Sequence, residues 1–174
     1  MDSRQNTVVN RRTARECVVK ALYAHTMGGG NRDHVISTVI RPVLRGNGSI
    51  TEFAERLFKA SFDTAARADE LIRAHTNNWE MMRMALVDRH ILRMAICEFF
   101  HFHDIPPKVT INEAIDIAKR YSTARSGNFI NGVLDAVVYD LHQKDQLNKS
   151  GRGLWGMDEL VARLAAKEQA ADNS

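Results

Sequence analysis

Apolar residues recur at helical spacing along almost the whole sequence, and this periodicity is the feature that most constrains the fold. Only three prolines and ten glycines interrupt 174 residues. No segment between turn signals shows the period-two alternation that marks half-buried strands. Each apolar stripe covers one side of its helix, so the helices must pack together to bury it. The sequence therefore predicts an all-α fold, a single helical bundle domain of about seven helices.

Start and stop signals place the predicted helices along the chain. They cover residues 10–27, 31–45, 49–77, 79–86, 88–103, 110–121 and 127–141. Ser49 with Glu52 and Thr110 with Glu113 match the capping box, and Ser126 is a typical N-cap residue. We expect a flexible N-terminal arm over residues 1–9, the helical domain over 10–141, and a linker with a tail helix over 142–174.

Composition excludes several classes of protein. Apolar residues make up 44% and charged residues 26%, which is typical of a globular chain. Two cysteines, Cys17 and Cys97, cannot build a disulfide framework or a four-cysteine zinc site, and both are expected to be buried and inert. We predict no membrane span and no secretory signal, and hence a cytoplasmic protein. The net charge of +3 and the pI of about 9.0 favour an anionic partner.

The first predicted helix, with Asn10 as its N-cap, has one apolar and one basic face. At 100 degrees per residue, its small and apolar residues gather on one side. The remaining arc carries the basic face and a tyrosine: Arg11, Arg12, Arg15, Lys20 and Tyr23. Basic residues at a helix N-terminus oppose the helix dipole, which suggests that they serve binding. Cations beside an exposed aromatic ring suit RNA, whereas a merely solvated charged face is the alternative.

Three segments resemble the NusB family of bacterial transcription antitermination factors. They are RRTAREC with ALY at residues 11–17 and 21–23, DRHILRMAICE with INEAIDIAK at residues 88–98 and 111–119, and FINGVLD at residues 129–135. Their order and spacing are also similar to those of the family. The resemblance covers residues 11–141 and implies an all-helical RNA-binding protein without catalytic activity or cofactor.

The resemblance also implies partners and site residues. The partners are single-stranded boxA-type RNA of ribosomal RNA leaders, the small-subunit ribosomal protein NusE, and the elongating RNA polymerase. The implied RNA contacts are Arg11, Arg12, Arg15 and Tyr23, with Lys20 on the same face, and a second patch of Ser126, Gly127, Asn128 and Phe129. The implied NusE surface is Asp88, Glu98 and Phe99. Packing in the core is an equally open interpretation of Phe129.

Other interpretations stay open at this stage. The bundle could be a protein-interaction module, such as a homodimer that hides its arginine face. The same fold also serves as the RNA-binding domain of some ribosomal RNA cytosine methyltransferases, but this chain is too short to include their catalytic domain. Glu98 and His101 form a single Glu-x-x-His unit, which does not predict a metal site without a second copy.

Overall fold

The computed structural model describes residues 9–77 and 82–172, and all regular secondary structure in these two ranges is helical. The all-α prediction is thus confirmed. The chain divides into two units, Met1–Lys59 and Ala60–Ser174. None of the described helices has the length and apolar content that a membrane crossing requires.

The first unit is built around a long opening helix and a short irregular one. Its elements are α1 (Arg11–Gly28), α2 (Arg32–Val35), a π-helical turn (Ile36–Ile40), α3 (Arg41–Val43) and the first part of α4 (Gly48–Asp63). Asn10 caps α1 as predicted, because its side chain accepts a hydrogen bond from the Thr13 N–H at 3.0 Å. Gly29 ends α1 with φ of 66°, a conformation that glycine adopts without steric cost.

The predicted helix over residues 31–45 is interrupted by the π-helical turn. The Arg41 N–H bonds the Ile36 carbonyl, five residues earlier. Pro42 follows at once, and it has no N–H with which to continue the α-helical ladder. The chain therefore changes its hydrogen-bond register directly before the proline.

The predicted helix over residues 49–77 is divided at Thr64 into α4 (Gly48–Asp63) and α5 (Ala65–Ala74). The Thr64 hydroxyl bonds the Ala60 carbonyl at 2.8 Å, so a side chain uses a carbonyl that belongs to the helix ladder. The predicted capping box at Ser49 is wrong, because Asn47 Oδ1 accepts the Ile50 N–H and α4 begins before Ser49.

Three helices form the body of the second unit: α6 (Leu86–His101), α7 (Pro107–Tyr121) and α8 (Ser126–Gln143). Helix α6 contacts α5, α7 and α8, and ten of its sixteen residues are buried. Pro107 opens α7 at a position where a missing N–H costs nothing. The capping box predicted at Thr110 is wrong, since this residue lies inside α7. Of the helix predicted over 79–86, residues 79–81 lie outside the described residues; residues 82 and 83 are helical, 84 and 85 are not, and residue 86 already belongs to α6.

The tail packs on the body of the second unit. After a 3-10 turn (Gly151–Leu154), α9 (Met157–Asp172) contacts α8 and α7. Its apolar side is buried through Met157, Leu160 and Leu164. The 3-10 turn lies within the segment for which the sequence predicts a linker, and α9 lies where it predicts a tail helix.

Candidate nucleic-acid interface

Helix α1 presents basic side chains on one side and core residues on the other. Arg11, Arg12 and Lys20 are exposed, and Tyr23 is 42% exposed. The opposite side is buried: Ala14, Cys17, Val18, Ala21 and Leu22. The first turn contains no acidic residue to match the positive end of the helix dipole.

Arg15 does not belong to the exposed face, although the sequence predicts it there. Its side chain is only 3% exposed, and its guanidinium lies 5.5 Å from the centre of the Phe53 ring. The Arg11 guanidinium lies 4.9 Å from the same centre. On the helical wheel Arg15 borders the apolar arc, so its long aliphatic stem can be buried while the ring face receives its charge. The prediction of a solvent-facing Arg15 is therefore wrong.

The second predicted patch begins with two residues that pack internally. Ser126 is buried, and its hydroxyl donates to Asp88 Oδ2 at 2.8 Å. Gly127 is buried against α7, where an added Cβ would lie 3.4 Å from Lys119 Cγ. At this distance an added Cβ would make ordinary van der Waals contact with the Lys119 side chain, so the helices pack closely here but the contact does not require glycine. The family resemblance implied an RNA contact at Gly127, whereas the structure buries this residue against α7.

The other two residues of this patch are accessible. Asn128 is exposed, and Phe129 is partly buried at the wall of a cavity in the second unit. The cavity has a volume of about 300 Å³. The cavity is lined by three of the predicted site residues and by five residues that were not predicted. The lining residues are Arg83, Met84, Ala85, Asp88, Thr123, Arg125, Ser126 and Phe129. Asp88, predicted as a partner contact, and Phe129, predicted as an RNA contact, therefore share one cavity.

This cavity combines positive side chains with a buried carboxylate. Arg83 and Arg125 supply the cations. Asp88 is 6% exposed, and its Oδ1 has no hydrogen-bond partner among the described residues. An unmatched acceptor of this kind can receive an N–H donor from a ligand, while guanidinium groups bind phosphate or carboxylate oxygens. Arg83 is not among the residues predicted from the sequence, because only the fold places it with Arg125 in the wall of one cavity.

Glu98 and Phe99 provide no surface for a partner in this structure. Both side chains are fully buried in α6. The physical reason is the central position of α6, which has neighbouring helices on several sides. The prediction that these two residues form part of an exposed NusE surface is corrected accordingly, and Asp88 is the predicted partner residue that reaches a cavity wall.

The cysteines are buried as predicted, and burial raises the pKa of both thiols, that of Cys97 to about 11. Histidines near the end of α6 serve local structure: His101 Nε2 lies 2.9 Å from Thr64 Oγ1, and His103 Nε2 lies 3.0 Å from the Phe100 carbonyl. Within residues 9–77 and 82–172, no group of three or more potential ligands is arranged to hold a metal ion.

Sequence comparison relates the chain to known proteins. The model of the NusB family matches residues 12–139. The transcription antitermination protein NusB of Salinibacter ruber is 49% identical over 157 residues, which cover 90% of this chain and 98% of that protein. The NusB of Chloroherpeton thalassium is 37% identical over 158 residues, with 91% and 75% covered.

Structure comparison gives the same relationship. T. maritima NusB superposes with a TM-score of 0.71 at 33% identity, covering 79% of this chain and 96% of that one. A chain from a crystal structure of antitermination factors NusB and NusE in complex with dsRNA superposes with a TM-score of 0.66 at 25% identity. That match covers 73% of this chain and 94% of the other.

Proposed function

Because the chain belongs to the NusB family, we propose that it is a transcription antitermination factor that binds single-stranded boxA-type RNA of ribosomal RNA leaders. It binds this RNA together with NusE and acts on the elongating RNA polymerase. The related NusB proteins support the antitermination role, and a NusB of the same fold has been crystallised with NusE and dsRNA.

The observation that carries the RNA-binding proposal is the exposed basic face of α1. Arg11, Arg12 and Lys20 lie in solvent on the same helix as the partly exposed ring of Tyr23. Cations attract the phosphate backbone, and an exposed ring offers a surface for an unpaired base. Buried Arg15 supports this face by packing on Phe53.

The cavity beside the start of α8 is the second proposed contact region. Arg125 and Asn128 offer charge and hydrogen bonds to RNA, and the partly buried Phe129 lines the cavity. Ser126 and Gly127 act indirectly, because they fix the start of α8 against Asp88 and α7.

NusE is proposed to meet the second unit at Asp88. This carboxylate has an unmatched oxygen in the cavity, and a basic ribosomal protein can supply the missing donor. Glu98 and Phe99 contribute by packing inside α6.

A binding titration tests the proposal. Fluorescence anisotropy would compare a labelled boxA-type single strand, a scrambled strand and a duplex, each with and without NusE, over a series of salt concentrations. We expect the boxA-type strand to bind best, to bind more tightly with NusE, and to lose affinity steeply with salt. A protein that retains no RNA at low salt, but forms a stable homodimer, would support a protein-interaction module instead.

Tyr23 provides a matched pair of variants for the same titration. Tyr23→Ala removes the ring and should weaken RNA binding by about 1–3 kcal/mol, whereas Tyr23→Phe keeps the ring and should bind nearly as well as the wild type. Equal affinity of all three proteins would exclude stacking on this side chain. Melting curves of both variants would show whether the ring also stabilises the fold.

A further inference from the structure

Residues 151–156 hold two large apolar side chains in solvent. Trp155 is 67% exposed and Leu154 is 54% exposed. Leu154 ends the 3-10 turn Gly151–Leu154, and Trp155 follows it directly, with its N–H donating to the Arg152 carbonyl at 3.0 Å. Their exposure is therefore a property of an ordered loop.

The loop is anchored to the body of the second unit on both sides. The Ser150 N–H donates to the His103 carbonyl at 3.1 Å, and Lys149 Nζ donates to two carbonyls near the end of α6 at 3.2 and 2.9 Å. Gly153 lies so close to the His103 carbonyl that a Cβ would not fit. Buried Met157 begins α9 on the other side. A ring held by such a loop loses little conformational freedom when it binds.

Arg152 lies three residues before Trp155 on the same loop. Arg152 is exposed and forms no ion pair or side-chain hydrogen bond with any residue that the structure describes. Trp155 directly follows the 3-10 turn, and its N–H bonds the Arg152 carbonyl, so the two residues close one hydrogen-bonded turn. Lys108 lies beside Gly156, but Glu159 is within 3.9 Å of its Nζ.

We propose that Arg152 and Trp155 form a stacking site for one nucleotide of single-stranded RNA. The indole face would receive the base, and the guanidinium would bind the adjacent phosphate. The acidic residues Asp158 and Glu159 lie in the first turn of α9, where they match the helix dipole. The charged side chain of the turn itself, Arg152, is positive, which favours the phosphates of RNA over a basic protein surface. This inference rests on the RNA-binding function proposed above.

The site lies far from the cavity beside α8 within the same unit. Helix α7 has fifteen residues and therefore spans about 22 Å. Its first turn carries Lys108, which contacts the region of Gly156, whereas Ser122 at its end contacts Ser126 at 3.0 Å. A strand that occupies the cavity must continue over this length to reach Trp155, so only RNA with long flanks can use both.

The test compares two RNA probes and uses Trp155 as the reporter. A Trp79→Phe background leaves Trp155 as the single tryptophan of the chain. One probe is the bare boxA-type element and the other is the same element with long oligouridylate flanks. The variants are Trp155→Ala, Arg152→Gln and Trp155→Phe, with Leu154→Ala as the matched exposed control. Melting curves verify that each variant keeps the fold.

We expect the flanked probe to quench Trp155 fluorescence and to bind Trp155→Ala at least about five-fold more weakly, with the bare element unaffected. Trp155→Phe should restore most of the affinity, and Leu154→Ala should match the wild type. Unchanged affinity of Trp155→Ala for both probes would overturn the stacking site while leaving the proposed function intact. A fluorescence change caused by NusE without RNA would overturn it in favour of a protein contact. Failure of the wild type to bind even the bare element would overturn both proposals.

Discussion

The Ser126 hydroxyl donates a 2.8 Å hydrogen bond to the carboxylate of Asp88, and this bond joins the start of α8 to the start of α6. Both residues are buried, and both line the cavity that also contains Arg125 and Phe129. Ser126 Oγ also lies 3.0 Å from Ser122 Oγ at the end of α7. The proposed RNA patch and the proposed partner residue are thus parts of one hydrogen-bonded corner of the second unit.

Ser126→Ala should destabilise the protein by about 1–3 kcal/mol, because it leaves both oxygens of the buried Asp88 carboxylate without a described donor. Urea unfolding followed by circular dichroism would measure the loss. Asn128→Ala, in the same turn but exposed, should change the free energy of unfolding by less than about 0.5 kcal/mol. Equal stability of the two variants would show that the hydrogen bond contributes little.

Arg12→Ala and Arg15→Ala should have different effects. Exposed Arg12 is expected to contribute to RNA affinity, so its loss should cost about 1 kcal/mol of binding and lower the salt slope by about one, with the melting temperature unchanged. Buried Arg15 packs on Phe53, so its loss should reduce the free energy of unfolding by about 1–3 kcal/mol. Anisotropy titrations and urea unfolding of both variants separate the two roles. The reverse pattern would contradict the assignment.

The tail should be held to the body by two cations that share one buried carboxylate. Arg163 Nη2 and Lys167 Nζ lie 3.1 and 3.3 Å from the Asp135 oxygens, and the Asp135 side chain is only 4% exposed. Arg163→Ala or Lys167→Ala alone should cost less than about 1 kcal/mol, since one cation remains. The double variant leaves a buried charge unpaired and should cost about 3 kcal/mol, more than the sum. Unfolding of the four proteins in urea completes the cycle, and simple additivity would contradict a shared carboxylate.

The buried His90 should make stability depend on pH in mild acid. Burial, followed by the charges of Arg93 and Arg89, lowers the pKa of His90 from 6.5 to about 4. Between pH 6.5 and pH 4, His90 is protonated in the unfolded chain but neutral in the folded chain. The free energy of unfolding therefore falls as the pH falls from 6.5 to 4. The contribution present above pH 6.5 is up to about 3 kcal/mol.

His90→Gln removes the titrating group and provides the control for this effect. Urea unfolding near pH 7 and about pH 5 should give a smaller difference in the free energy of unfolding for the variant than for the wild type. An identical pH dependence of both proteins would assign the acid sensitivity to other groups, such as the carboxylates of ion pairs.

The helical spacing of apolar residues predicted those helices that bury a single apolar stripe. For α1 and α8 the sequence predicted the bounds to within about two residues, since caps and stripes are local properties. It failed where long-range contacts override local preference. Helices α4 and α5 are separated at Thr64, and the hydroxyl of this residue also forms a hydrogen bond with His101, 37 positions later in the chain. No local pattern contains that partner.

The candidate site divides in the same way. The sequence alone determined that α1 has a basic face, because the residues of one helix share a fixed angular relationship. Only the tertiary structure decided that Phe53 covers Arg15, that α6 is enclosed with Glu98 and Phe99 inside, and that Arg83 and Arg125 line the same cavity. Exposure and charge pairing depend on residues distant in the chain, and these come together only when the helices pack.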